Sequence, residues 1–313
     1  MTSSSPSTYR RPRTPARLAA RHAIWRRLPV HLPTTSSPTE NEITSERNPT
    51  VQPARKLGRA TARAGRGRFL LEGAQGIRAA LDAGVPVATL LATQAAAARH
   101  RRLVDDAGAA GAQVLLVAEP VLDGLAQTVT PQGLVAVVPS VVRGLDALPA
   151  APRLVCVLAE VRDPGNAGTV LRAADAFGAD AVATTAGSVD LESPKAVRAS
   201  AGSLFHLPVL SGVAWPSLAG ALADRGVALV GTDPHARDDT DAAPLERPVA
   251  LVLGNEAHGL GEDVRRDLDH LVRLPIHGRA ESLNLAAAAA VLLWETARRQ
   301  RAAAPAGEEA PVG

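Results

Sequence analysis

The chain is poor in the residues that most often carry covalent staples or redox chemistry. Of its 313 residues, one is cysteine, one is methionine and 2% are aromatic. A lone Cys156 excludes a disulfide framework and a Cys-based zinc site, and it suits a reducing cytoplasm. With so few aromatics, alanine, valine and leucine must build the core. Lysine is nearly absent: Lys56 and Lys195 stand alone among 34 basic residues. No uninterrupted apolar run reaches the roughly 18 residues of a membrane span. No G-x-G-x-x-G fingerprint follows a strand, which argues against an ordinary Rossmann dehydrogenase or methyltransferase.

What is present is unevenly placed. Residues 1–68 hold 14 Lys and Arg against 3 Asp and Glu, whereas the remainder holds 20 against 28. A basic flank on an acidic body points to a polyanionic partner, nucleic acid first. The RNA-contact expectation falls on Arg59, Arg63, Arg66 and Arg68. Residues 1–50 are rich in Ser, Thr, Pro and Arg without sustained periodicity, and read as a disordered basic tail. The first 39 have transit-peptide features without a secretory apolar core, or mark a start upstream of the true one.

From residue 51 to 140, short strands and helices alternate, as in a small α/β domain. Residues 54–63 read as a basic helix, 69–73 as a strand, 74–83 and 95–108 as helices, and 87–91, 113–117 and 134–138 as strands. Residues 141–152 read as a linker, 153–303 as a second domain and 304–313 as a tail. In the second domain, 154–158 is the apolar run of a buried parallel strand. Asp163-Pro-Gly-Asn166 then breaks it, with Asn166 placed to cap the next helix. Val170, Leu171, Ala174 and Phe177 give that helix a core face, and Gly178 stops it. Further strands are expected over 179–185, 228–232, 249–253 and 271–274, and a long helix over 284–301.

Three strand ends carry polar groups. These are Asn166 and Arg172; Gly254, Asn255 and Glu256; and Ser282, Leu283 and Asn284. Strand ends on one edge of a parallel sheet converge on one ligand crevice. His258 and His277 read as loop residues, and no metal site is expected.

Together these stretches resemble the SpoU (TrmH) branch of the SPOUT RNA methyltransferases. The first motif is Asp163-Pro-Gly-Asn-Ala-Gly-Thr-Val-Leu-Arg172. The second is Leu253-Gly-Asn-Glu-Ala-His-Gly-Leu260. The third runs from Leu274-Pro-Ile276 to Ser282-Leu-Asn-Leu-Ala-Ala-Ala-Ala289. Lys195-Ala-Val-Arg-Ala-Ser-Ala-Gly202 also fits, and Phe69-Leu-Leu-Glu-Gly73 with Pro131-Gln-Gly133 resembles the family's substrate-binding domain. The likeness covers about residues 50–300.

The resemblance implies an α/β fold with a deep trefoil knot in its parallel-sheet domain. It implies a cytoplasmic homodimer whose chains share each site, with S-adenosylmethionine as methyl donor. The product is a 2′-O-methylated ribose, in large-subunit ribosomal RNA by the two-domain layout. Transfer RNA is the alternative substrate, and an inactive RNA-binding or ribosome-assembly factor the alternative function. Arg172 becomes the central residue, binding the target phosphate and orienting the hydroxyl, since a guanidinium does not give up its proton. Glu256 is expected to hold Arg172 by a charge-assisted bond. Asn166 and Asn284 fix loop and ribose, and Ser282 adds a hydroxyl. Gly254, Asn255, Leu274, Ile276 and Leu283 shape the donor pocket, with Thr232 closing one side.

Overall fold

The structure, a computed structural model, describes residues 42–128 and 130–304. The tail expectations for 1–41 and 305–313 fall outside these residues. Residues 42–50 correct the boundary. Ile43 pairs with Val117, donates its N–H to Leu116 O (2.9 Å) and accepts from Ala118 N (3.0 Å). One apolar side chain in a polar stretch is enough to join a strand edge, and average composition hides it.

The first sheet has four strands: β1 (Arg68–Glu72), β2 (Thr89–Ala92), β3 (Gln113–Leu116) and β4 (Leu134–Pro139). Their order is β1-β4-β2-β3, with β4 antiparallel to both neighbours and β2 parallel to β3. Around it lie α1 (Val51–Lys56), α2 (Ala60–Arg66), α3 (Ala74–Asp82), α4 (Gln94–Arg99), α5 (Arg101–Ala109) and α6 (Glu119–Asp123). The single basic helix expected over 54–63 is thus two. The chain turns at Leu57-Gly58-Arg59 because Leu57 drops into the core at 2% exposure. The helix expected over 95–108 also breaks, at His100, whose φ and ψ of −112° and 32° leave the helical range.

The second sheet has seven strands: β5 (Leu154–Leu158), β6 (Ala181–Thr185), β7 (Val209–Val213), β8 (Ala228–Thr232), β9 (Asp238–Asp239), β10 (Val249–Leu253) and β11 (His270–Arg273). Their order is β7-β6-β5-β10-β8-β11-β9, and every pairing is parallel. Strands β5, β6 and β10 are buried along their whole length, which is why they read as unbroken apolar runs. β7 escaped the sequence reading because Ser211 and Gly212 interrupt its pattern.

Alternation along the strands feeds two cores. Cys156, Leu158, Leu251 and Leu253 face one side, under α7 (Pro164–Phe177), α8 (Pro194–Ser200) and α11 (Leu285–Ala303). Val155, Val157, Ala250 and Val252 face the other, with Trp215, Leu218 and Leu222 of α9 (Trp215–Ala223) and Val264 of α10 (Glu262–Arg266). Helices α7 and α8 approach so closely that a Cβ on Gly168 would lie 2.4 Å from Ala196 O. A glycine there is a packing requirement.

The register decides where the site sits. Leu253 lies beside Leu158, Val252 beside Gly231, and Val272 beside Thr232. The carboxyl ends of β5, β10, β8 and β11 are therefore level, and their loops leave the sheet on one edge. From β11 the chain returns across that edge to α11, which packs on α7, β5 and β10.

Candidate active site

The loop after β5 is built by caps rather than by core packing. Asp163, not Asn166, is the helix cap: its Oδ1 accepts from Asn166 N at 2.7 Å. The side chain of Asn166 is thereby released to face the crevice. Lys195 Nζ meets the other Asp163 oxygen at 2.8 Å, and this bond leads the contacts that hold the carboxyl below its ordinary range. Glu160 sits at φ 55°, a left-handed position unusual for a glutamate. Its N–H is held by Thr185 Oγ1 (3.0 Å) and its carbonyl by Asn255 Nδ2 (2.8 Å).

The loop after β10 folds tightly on itself. Asn255 and Gly259 exchange backbone bonds of 2.8 and 2.9 Å. Asn255 Oδ1 accepts from Ala257 N and His258 N. A Cβ on Gly254 would meet the Gly259 carbonyl carbon at 2.4 Å. Gly254 is therefore dictated by the loop itself, and the Asn255 side chain is used up in bracing two loops. Both were expected at the donor pocket, where only their main chain remains to act.

Glu256 reaches across to the first loop. Its carboxylate accepts from Arg162 N, Asp163 N and Asn166 Nδ2, each at 3.2 Å. Burial disfavours its charge, but its own backbone N–H, followed by these donors, outweighs burial and holds the carboxyl below its ordinary range. Asn284 completes the set. Its Oδ1 caps α11 by accepting from Ala286 N (2.9 Å), and its Nδ2 donates to Asn166 Oδ1 at 3.1 Å. A polar chain thus runs Asn284 to Asn166 to Glu256, joining all three motifs.

Two expectations fail against this geometry. Glu256 does not hold Arg172, because its oxygens are taken by the first loop. Arg172 lies on the exposed side of α7 with no hydrogen bond or ion pair among the described residues. Six residues beyond Asn166, it stands about 9 Å further along the helix. Arg63 is the second correction. It is 5% exposed, its guanidinium bonds Asp190 at 2.7 and 2.8 Å, and it also donates to Leu57 O and Gly58 O. A buried, fully paired arginine does not grip phosphate. Arg59, Arg66 and Arg68 are exposed.

The third loop lies open. Leu274 and Ile276 are half-buried, Ser282 is exposed, and Leu283 is 44% exposed, a large apolar side chain at the crevice. Among the described residues, no hydrogen bond draws on the backbone of 276–283. Thr232 is half-buried at the end of β8. Beside it, Asp233 pairs with Arg265, which donates to Leu260 O at 2.9 Å and so ties β8 to the second motif. The sequence reading missed Asp233, Arg265 and Lys195 as structural members of the site. The rarity of lysine was the available signal for the last.

A parallel sheet with three polar loops gathered on one edge, joined to a small basic domain, defines an α/β protein with a ligand crevice at its strand ends. Comparison with known proteins gives the family. The SpoU rRNA Methylase family matches residues 153–294, and the MRM3-like substrate binding domain matches 48–136. The 23S rRNA (uridine(2479)-2′-O)-methyltransferase of Streptomyces viridochromogenes is 32% identical, over 84% of this chain and 94% of its own. The 23S rRNA (guanosine(2553)-2′-O)-methyltransferase RlmP of Bacillus subtilis is also 32% identical, over 81% and 98%. The crystal structure of an AdoMet-bound rRNA methyltransferase from Sinorhizobium meliloti superposes with a TM-score of 0.74 at 32% identity, covering 82% of this chain and 97% of that one. The chain belongs to the SpoU rRNA methylase family.

Proposed function

We propose that the protein is an S-adenosylmethionine-dependent RNA methyltransferase that forms 2′-O-methylribose in large-subunit ribosomal RNA. The observation that carries this reading is the Asn284–Asn166–Glu256 chain, which gathers three loops at the level strand ends of one sheet. The residues fit the donor. Leu274, Ile276 and Leu283 offer apolar surface to an adenine, and the uncommitted main chain of 276–283 offers donors and acceptors to its edge. Thr232 closes one side. Bound there, S-adenosylmethionine supplies an electrophilic methyl group.

The chain's own residues do the rest. Arg172, without a partner among the described residues, takes the phosphate beside the target ribose through its planar fork. That contact places the 2′-hydroxyl for in-line attack, and alignment supplies much of the rate. The leaving proton goes to phosphate or water, because guanidinium accepts none. Asn166 and Asn284 fix the ribose side of the crevice, Glu256 holds the first loop, and Ser282 contributes its exposed hydroxyl.

The N-terminal sheet presents the RNA surface. Arg68 at the start of β1 and Arg59 and Arg66 at the two ends of α2 are exposed, and Arg47, Arg55, Lys56 and Arg59 line one cleft with Glu46, the partner of Arg55. Relatives modify uridine in one case and guanosine in another, so the base is set outside the shared site. The protein acts as a cytoplasmic homodimer with no metal. Ala287, Val291, Trp294 and Arg298 form one exposed stripe on α11, with Val291 and Trp294 at 45% and 50% exposure. A second copy covers this stripe and brings its own residues to Arg172 on neighbouring α7. The likeness of the third motif to the family supports a deep trefoil knot in the segment from β11 to α11. Among the described residues, no helix is long and apolar enough to cross a membrane.

The test is methylation of total RNA by the purified protein with labelled donor, followed by mapping. Label on a ribose of large-subunit rRNA is expected. Label confined to transfer RNA overturns the substrate, label on a base overturns the reaction, and no donor binding at millimolar concentration favours a binding factor.

A further inference from the structure

Residues 188–198 run between the two sheets and make contacts in both directions. Toward the first motif, Ser188 Oγ donates to Leu158 O (3.1 Å) and Val189 N to Val161 O (2.8 Å), while Lys195 Nζ holds Asp163 (2.8 Å). Toward the N-terminal domain, Asp190 Oδ2 takes the buried guanidinium of Arg63. Glu192, 4% exposed, accepts from Ser140 Oγ (2.9 Å), Val141 N (2.6 Å) and Val142 N (3.2 Å) in the connecting segment. Arg198 pairs with Glu72 at 3.4 Å. Asp190 Oδ1 also accepts from Glu192 N at 2.8 Å, so the two carboxylates are set as one unit. Just beyond, Phe205 stacks on Phe69 of β1 at 6.4 Å and 17°.

Joined domains reorient by default unless a large apolar interface holds them. Here one continuous core includes Phe69, Ile77 and Ala80 from the first unit and Leu191, Leu204 and Phe205 from the second. The Arg63–Asp190 pair adds direction to that apolar contact, since breaking a buried ion pair is costly. So does Glu192, whose carboxyl is pushed up by burial and whose three hydrogen bonds to the connecting segment are costly to leave unmade. The same eleven residues that grip the N-terminal domain also grip the loop bearing Asn166.

We propose that residues 188–198 are a positioning clip, which fixes the RNA-binding surface of the N-terminal domain in register with Asn166 and Arg172. Asp190, Glu192 and Arg198 are positioning residues that touch neither donor nor RNA. The proposal rests on the RNA methylation reading for its substrate. A ribose gripped through the N-terminal domain reaches the methyl donor in one position only if the two units do not swing, and small misplacements cost rate steeply.

The test uses the full chain with Asp190→Asn and Glu192→Gln together. Wild type is expected to melt in one transition. The double variant is expected to melt in two and to show a larger radius of gyration by small-angle scattering. Its dissociation constant for S-adenosylmethionine stays within about twofold. Its kcat/KM on a large-subunit rRNA fragment falls by about tenfold or more, with methyl groups appearing on riboses beside the wild-type position. Arg198→Lys keeps wild-type behaviour. Should the double variant fail to fold, Arg198→Met, whose partly exposed side chain is easier to lose, runs the same measurements. A single transition with an unchanged radius in the variant overturns the clip. Separated domains with wild-type kcat/KM on a single ribose overturn its positioning role. Wild-type protein that methylates no RNA overturns the function reading, while melting and scattering still decide the clip.

Discussion

The two sheets divide the labour differently. In the seven-stranded sheet, three central strands are buried throughout, and the polar residues lie in loops at one edge. There the loops are tied to one another: the Asn166 side chain by Glu256 and Asn284, and the Glu160 carbonyl by Asn255. In the four-stranded sheet, β3 is half-exposed and the exposed arginines stand on surface helices, in the turn between them and at the start of β1. Chemistry needs atoms held to fractions of an ångström, whereas phosphate attraction acts over a Debye length. The tied edge therefore belongs to reaction, and the open basic surface to recognition.

The sharpest break between the two is Arg172→Ala. It is expected to lower kcat by about a hundredfold or more, with S-adenosylmethionine affinity and melting unchanged. Arg172→Lys fails as well, because a point charge does not reproduce a planar fork. Wild-type turnover in either variant removes Arg172 from the reaction. Next in size is Trp294→Asp, which puts a charge in the exposed stripe of α11. Sedimentation is expected to show monomers, with the dimer constant weakened by about thirtyfold or more, and activity falling with the dimer.

Glu256→Gln probes the tied edge from within. It keeps the shape but replaces one accepting oxygen with a donor, which faces Arg162 N at one position or Asp163 N and Asn166 Nδ2 at the other. Lost charge-assisted bonds put the fall in kcat/KM at about tenfold to a hundredfold. The folded carboxyl titrates below its ordinary range. Its contribution to loop order is therefore complete above that range and lost only as pH falls through the lowered value. Donor affinity in the wild type is expected to be flat from about pH 6 to 8 and to fall in acid, and the variant to lack this Glu256-linked acid loss. A donor-binding titration with a midpoint near neutrality speaks against Glu256 as its cause.

The four arginines expected at the RNA surface, of which Arg63 is instead paired with Asp190, now separate the regions more finely. Neutralising Arg59, Arg66 and Arg68 to Gln is expected to weaken RNA binding similarly across sequences. It flattens the salt dependence by up to about one unit per lost phosphate contact. Arg63→Gln is expected to leave the salt slope alone and lower the melting temperature, since it strips Asp190 of its partner. An equal loss of slope from Arg63→Gln reverses the assignment.

These four residues also show what the sequence carried. Period and apolar runs placed β5, β8 and β10 to the residue, because both faces of those strands are buried. Motif spacing brought Asn166, Glu256 and Asn284 to one crevice. What escaped was every fact of partnership. An arginine reads as basic whether it faces solvent or Asp190, 127 residues away. Glu256 reads as a partner for Arg172 until the first loop is seen to offer it three N–H groups. Asp163 and Asn166 are equally good caps in the text, and only the turn geometry chose Asp163. Strand β7, with Ser211 and Gly212 inside it, has no pattern to read.

The smallest effect is expected at the N-terminus, where charge is dense and the boundary is sharp. Residues 1–41 hold seven arginines and one acid, and the RNA surface of Arg59, Arg66 and Arg68 does not need them. Ile43 is different: its backbone bonds to Leu116 and Ala118 extend the first sheet's edge, and its side chain packs against the apolar cluster that includes Val117 and Val121. Removing residues 1–41 is expected to leave kcat/KM, melting and the salt slope of RNA binding within error. Removing residues 1–50 instead strips the edge pairing and lowers the melting temperature, without altering donor affinity. Paired salt titrations of the two truncations decide the matter. Each arginine that truly neutralises a phosphate contributes nearly one unit of slope. A drop of several units on removing 1–41 alone makes the tail part of the recognition surface, and it moves the boundary between the two kinds of region to the start of the chain.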